Sequence, residues 1–432
     1  MTEPVSPPAH QATPPLIRRN ITLFAMSQSF NGAGMQLAYG IGPLMVLALT
    51  SSPALAGLSV ALIGLSRFFV AYPVGKIMDS WGRKPAILLG LGLALAGALA
   101  LFASLEFKSL WMFIAGLLVF GMGMNAAQQL RVAATDMFPP HRRGQALGIV
   151  ALGSLSGLLF FPPIMRFSEI YAVPLGQDPL ALPWLLIPVL ILPSMFLITR
   201  VRPDPREIGM NLERYYPDYK PSIHEAGHEA GGPRPAYDWR TATRPLPVRL
   251  AIASNCAGQG NMAIIMVLTS LVLHNHGYSL SAIAFSHMFH SAGMFAFTIP
   301  IGWLSDRIGR ARVMYPGLAV TMVGASLVVF PQAYWAVTLG TFLVGLGWAA
   351  SNVASTAYIA DHTRTVERGR TIGFSDTCAG GTSVIVAVLT GPLIAWFGLP
   401  ATGVLAIAIS ALPVVLLPAA LAERRRARQA AE

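Results

Sequence analysis

The chain has 432 residues, 54% of them hydrophobic and only 11% charged, with a mean hydropathy of +0.57. Soluble proteins carry about 25% charged residues, so the deficit points to lipid as the solvent. The formal charge of +11 does not mark a nucleic-acid binder, because the basic residues are confined to short gaps between long apolar runs.

Thr2 to Pro15 is Pro-rich and polar and lacks the basic–apolar–small pattern of a cleavable signal peptide. Residues 1–19 are expected to be a disordered cytoplasmic N-terminus. Twelve apolar runs follow: 21–49, 55–75, 85–104, 110–133, 145–166, 182–200, 250–273, 281–301, 312–330, 334–357, 371–396 and 400–420. Each is near the roughly 20 residues that carry a helix across hydrocarbon. Helices are expected because an open strand edge cannot be satisfied in lipid, and Gly and Pro within the runs are tolerated there. The segment 201–248, rich in Pro, Gly, Tyr and charge, divides the runs six and six and reads as a cytoplasmic linker. The expected organisation is an N-terminal half over 20–200, a C-terminal half over 249–421 and a basic cytoplasmic tail over 422–432.

Orientation follows from Lys and Arg. Arg18, Arg19, Lys76, Arg83, Lys84, Arg142, Arg143, Arg307, Arg310 and Arg312 fall on one side, with the linker, Arg364, Arg368, Arg370 and the arginine-rich tail. Lys108 and Arg166 fall on the other, so both termini are expected in the cytoplasm. Cys256 and Cys378 form no spaced framework and read as unpaired thiols.

The halves repeat. Gly75-x-x-x-Asp79-x-x-Gly82-Arg83-Lys84 returns as Gly302-x-x-x-Asp306-x-x-Gly309-Arg310, and Arg143-Gly144-x-x-x-Gly148 returns as Arg368-Gly369-x-x-x-Gly373, at offsets of 227 and 225. Internal repeats of this kind are a signature of secondary transporters. With this motif and twelve runs the chain resembles the major facilitator superfamily along nearly its whole length. The resemblance implies an all-α membrane protein of two pseudo-symmetric six-helix halves. It also implies that Gly75, Asp79, Gly82 and Arg83, with Gly302, Asp306 and Arg310, form a cytoplasmic latch between conformations rather than a substrate site. Taken alone, the same residues also suit positive-inside topology with a tight turn beside Gly82.

No residue set suggests an enzyme. His224-Glu225-x-x-His228 matches a zinc-protease pattern, but it lies in the Gly/Pro-rich linker without the helix that would put both histidines on one face.

The most specific stretch runs from Asn261 to Met294. Met262 and Met266 stand four apart in the seventh run, and His290 and Met294 stand four apart in the eighth. Folding about Tyr278 sets Met262 level with Met294 and Met266 level with His290, each pair on one helix face. Methionines packing a core are the ordinary explanation, and either pair alone is unremarkable in a chain with 18 Met and 9 His. An intramembrane histidine, however, is costly and points to function. Three thioethers and an imidazole are unsuited to Mg²⁺ or Ca²⁺ and lack the thiolates or carboxylates of zinc sites. Soft neutral donors suit Cu(I). These pairs resemble those of the CcoA-like copper importers of bacteria, which supply a haem–copper oxidase. That likeness implies copper as transported substrate, no permanently bound cofactor, and uptake across the bacterial inner membrane by a monomer that meets periplasmic or cytosolic copper chaperones. Relatives in the same wider group import riboflavin, so a carrier of riboflavin or a drug-like compound is the alternative.

Further polar groups are less readable. The repeat sets Met262 opposite Met35 and Met294 opposite Arg67. Met35 is a candidate extra thioether, and Arg67 a gate or a counter-charge. His274 and His276 in the outer turn are candidates for first capture of metal, or exposed loop. Asp376, early in the eleventh run, is the candidate coupling carboxylate, with a structural role at a helix start as its alternative.

Overall fold

Hydrocarbon offers no partner to a backbone amide, so a chain this apolar must satisfy its backbone within each segment. The computed structural model describes residues 13–139, 142–217, 238–330, 333–363 and 365–429, and among these there are helices and no strands. The first twelve residues of the expected N-terminal tail and the His224/His228 pattern lie outside the described residues.

The first half comprises α1 (Pro15–Thr50), α2 (Leu58–Ser80), α3 (Arg83–Glu106), α4 (Leu110–Asp136), α5 (Arg143–Tyr171) and α6 (Leu182–Arg200). The second comprises α7 (Leu246–Asn275), α8 (Leu280–Ala296 continuing as Thr298–Ile308), α9 (Arg310–Val329), α10 (Tyr334–His362), α11 (Thr365–Phe397) and α12 (Leu399–Gln429). Ten described helices are long and apolar enough to cross a membrane. The two pieces of α8, bent by 41°, make an eleventh, and α12 carries the shorter apolar stretch Leu399–Val415. Each of the twelve apolar runs is therefore a helix. Several run further than their apolar cores: α1 starts at Pro15, where a proline without an N–H is favourable in the first turn. Exposed Trp81, Trp111, Trp335 and Trp396 sit at helix ends, as an interfacial aromatic belt requires.

Small residues let helices touch. In the first half Gly97 of α3 lies against the Phe120 backbone of α4, and Gly123 against Ala94. In the second, Gly324 of α9 lies against Val344 of α10, and Gly347 against Thr321. Contact rather than hydrophobic exclusion drives such packing, since lipid is as apolar as leucine. Phe120 and Trp184 meet edge-on at 5.2 Å in the core of the first half.

Gly75 and Asp79 lie inside α2, and Gly302 and Asp306 inside the second piece of α8. The turn is confined to Gly82 and Gly309, at φ 106° and 100°, a region that disfavours any residue with a Cβ.

The face carrying both ends of the chain is the terminal face, and the opposite one the far face. Toward the far face the halves touch. A Cβ added at Gly57 would collide with the Ala387 carbonyl, and one at Gly391 with the Ala54 carbonyl. Glu169 at the end of α5 accepts bonds from the Ser281 backbone N–H and hydroxyl, both at 2.8 Å. Between α2 and α11 the contact reaches in to Phe68 and Gly380; beyond it, Gly75, Gly369 and Gly373 face open space.

Candidate functional site

Met262 is half-buried and Met266 buried in the middle of α7, and Ser270 continues the same helix face one turn on. Ser270 is the junction. Its hydroxyl lies 2.7 Å from the Gly40 carbonyl of α1 and 2.9 Å from His287 Nε2 of α8. A hydroxyl has one proton; given to Gly40, it leaves the serine oxygen to accept from His287, whose proton then sits on Nε2. A turn away, the Gln36 amide of α1 donates to the Ser291 hydroxyl. Three helices from both halves are thus tied at one depth.

That junction measures the register of α7 on α8. Symmetric folding about Tyr278 pairs Ser270 with Ser286, and the observed partner is the next residue, His287. That register places Met266 within one residue of the depth of His290. His290 is 1% exposed, and its Nδ1 donates 2.8 Å to the Thr341 carbonyl of α10. The other nitrogen, Nε2, is buried without a partner. Met294, also buried, follows one turn later, and its carbonyl accepts from the Thr298 hydroxyl at 2.9 Å. Just beyond, α8 bends, because Pro300 has no N–H to give and its ring crowds the Ala296 carbonyl. The recorded bonds thus join α7 to α8 at Ser270–His287 and turn the His290 ring toward α10.

The other expected residues are dispersed. Met35 is half-buried against the core of the first half. His274 and His276 are exposed at the far face, where His276 Nδ1 donates to the Val272 carbonyl at 2.7 Å. Asp376 is half-buried and accepts from Asn255 Nδ2 at 3.3 Å. Arg67 is exposed.

On the terminal face the repeated motif makes two matching ion clusters. Arg83 donates to Asp79 at 3.0 Å and to Asp136 at 2.7 Å. Arg310 pairs with Asp306 and, at 3.1 Å, with Asp361. Each cluster lies within its own half, tying the turn after its second helix to the end of its fourth. Asp136 and Asp361 escaped the sequence reading, although they stand at the same offset of 225 as Arg143 and Arg368.

The start of the linker is a working part of the first half. Asp204 accepts from the backbone N–H groups of Arg83 at 3.0 Å and Lys84 at 2.9 Å, placing a carboxylate on the positive end of α3. It fits because Gly82 has no Cβ to meet it. Tyr216 donates to the Met137 carbonyl at 3.2 Å, and burial pushes its pKa up to about 12, so the phenol keeps its proton.

His287 and Arg131 were also missed. His287 is a second fully buried intramembrane histidine, three residues from His290 in the same apolar run, and that cost alone flags it. Arg131 of α4 lies 5.8 Å from the centre of the Phe295 ring, next to Met294, across the boundary between halves.

Fold and comparisons agree. The family model of the Major Facilitator Superfamily matches residues 24–241 and 250–432. The chain is 25% identical over 394 residues to the uncharacterised MFS-type transporter YdeG of Bacillus subtilis (strain 168), covering 90% of this chain and 89% of that one. It is 24% identical over 382 residues to the riboflavin transporter RfnT of Brucella anthropi, covering 87% and 89%. The inward-open xylose transporter XylE from E. coli superposes with a TM-score of 0.68 at 12% identity, over 92% of this chain and 95% of the other. The chain belongs to the major facilitator superfamily, and it is a multi-pass secondary transporter, not an enzyme.

Proposed function

We propose that the protein imports copper as Cu(I) across the bacterial inner membrane by alternating access, feeding haem–copper oxidase assembly. The observation that carries this reading is the state of His290. Its Nδ1–H is held by a backbone carbonyl, which fixes the tautomer and leaves the Nε2 lone pair buried and unused at the depth of Met266. Metal-ligating histidines are oriented in this way by their outer hydrogen bond. Met262, Met266 and Met294 supply thioethers, so the set is soft and neutral and suits Cu(I). Moderate thioether binding also suits a cargo that must be released. The Lys/Arg distribution supports cytoplasmic termini, and copper chaperones on either side are the matching partners.

The second reading is a carrier of an organic solute such as riboflavin or a drug-like compound, favoured by the relative RfnT. In that case the Met/His surface is an apolar wall. The test is cellular copper accumulation in a strain lacking the protein, complemented with wild type or with Met262→Ala, Met266→Ala, His290→Ala and Met294→Ala. Wild type restores copper content and oxidase activity, and the variants, present at equal abundance in the membrane, do not. Full restoration by the quadruple variant, with riboflavin uptake intact, overturns the copper reading in favour of the second.

A further inference from the structure

Positive charge from the other half reaches the helix that carries His290 and Met294. Arg131 has its Nε buried without a hydrogen-bond partner, and no ion pair is recorded for it among the described residues. Its guanidinium reaches Phe295, beside Met294. The same half supplies a second cation. On α2, Ser66 accepts from Asn125 of α4 at 3.1 Å, while Gly64 and Phe68 lie against Val384 and Gly380 of α11. Arg67 therefore projects between α4 and α11, toward the space between the halves, and no acidic partner is recorded for it among the described residues.

Depth follows from contacts. Gly42 of α1 meets Ser59 of α2, so counting along these antiparallel helices sets Arg67 opposite Gly34, two residues from Gln36. Gln36 in turn holds Ser291, which lies between His290 and Met294. Arg67 is thus at the depth of the Met/His set. The Ser66–Asn125 bond sets Arg67 level with Ala126, so Arg131, five residues further along α4 at about 1.5 Å each, lies about 7 Å nearer the terminal face. The acidic group nearest in kind, Asp376, is engaged by Asn255.

Two cations lining the space beside neutral donors make it electropositive, which favours cargo that brings compensating negative charge, since like charges repel strongly away from water. We infer that Arg67 and Arg131, lining the space between the halves at two depths, bind a small anion that carries carboxylate or phosphate groups. Arginine's planar fork suits both groups. The anion is either the chelating ligand that carries the metal or a metal-free organic solute. The site rests on the arginines and not on the copper reading, so the two can fail separately.

The test uses purified full-length protein in detergent, with citrate and inorganic phosphate as probes and thermal stabilisation as readout. Wild type and the quadruple Met/His variant show saturable stabilisation by at least one probe. Arg131→Gln and Arg67→Gln weaken it at least about tenfold, the loss expected for a charge-assisted bond, while Arg131→Lys retains most of it. Phe295→Glu, which places a carboxylate beside Arg131, abolishes it even where Arg131→Gln folds poorly. Proteoliposomes separate the sources. Uptake of radiocopper as its anionic glutathione complex, but not as the acetonitrile cation, marks a chelate; copper-independent uptake of labelled citrate marks an organic anion. Absence of saturable anion stabilisation in wild type, or stabilisation as strong as wild type in both Arg131→Gln and Phe295→Glu, overturns the inference.

Discussion

At the scale of single residues, the structure turns on side chains that sequence spacing does not reveal. Asp204 caps α3 from 120 residues away, and nothing in a Pro-rich linker announces that its aspartate belongs to another helix. Asp204→Ala removes two charge-assisted bonds from an otherwise unpaired helix start and is expected to cost about 1–2 kcal/mol. Thermal unfolding in detergent measures it; an unchanged melting temperature would show the cap to be dispensable. The spacing of Met262, Met266, His290 and Met294 was legible because period and turn fix depth. The tautomer of His290 was not, because the Thr341 carbonyl that sets it lies on another helix.

At the scale of helices, long apolar runs separated by basic gaps left little doubt about where each helix falls, since lipid imposes that pattern directly. Less legible was how the motifs are used. Gly75 and Gly302 look like turn residues in the sequence but are helical, because the turn needs only one positive φ, supplied at Gly82 and Gly309. The close approach of α2 to α11 at the far face depends on Gly57 and Gly391. Gly391→Val is expected to hold the halves apart there and to bias the protein against the conformation described. Thiol labelling of Gly373→Cys from the terminal face reports the bias: labelling should fall several-fold in the Gly391→Val background. Undiminished labelling would mean that the far-face seal does not depend on that glycine.

At the scale of the whole molecule, the recorded hydrogen bonds between halves concentrate at Ser270–Gly40, Gln36–Ser291 and Glu169–Ser281. Alternating access must break these and replace them. His287→Ala removes the imidazole from the Ser270 junction while leaving the four Met/His donors in place. It is expected to slow transport several-fold with little change in apparent affinity, read from the initial-rate dependence on substrate; a change confined to affinity would assign His287 to the site itself. The two-fold organisation was legible from the offsets of 227 and 225, which also predict the paired ion clusters once Asp136 and Asp361 are noticed. The asymmetry between halves was not. Arg67 and Arg131 belong to one half and the Met/His set to the other, and only the packing sets Arg67 at that depth and Arg131 against Phe295.

That asymmetry has an electrical consequence. Arg67 at the Met/His depth and Arg131 nearer the terminal face, neither with an ion pair recorded among the described residues, carry charge through whatever fraction of the membrane field shifts past them as the cavity changes sides. A full crossing is worth about 2.3 kcal/mol per charge per 100 mV, so even partial displacement makes the empty return step voltage-dependent. A bound anion cancels that charge and renders the loaded step nearly electroneutral. Transient currents on a supported membrane should therefore be largest in the empty protein, shrink as citrate or phosphate is added, and fall markedly in Arg131→Gln. Equal transients in wild type and Arg131→Gln would show that this arginine does not feel the moving field.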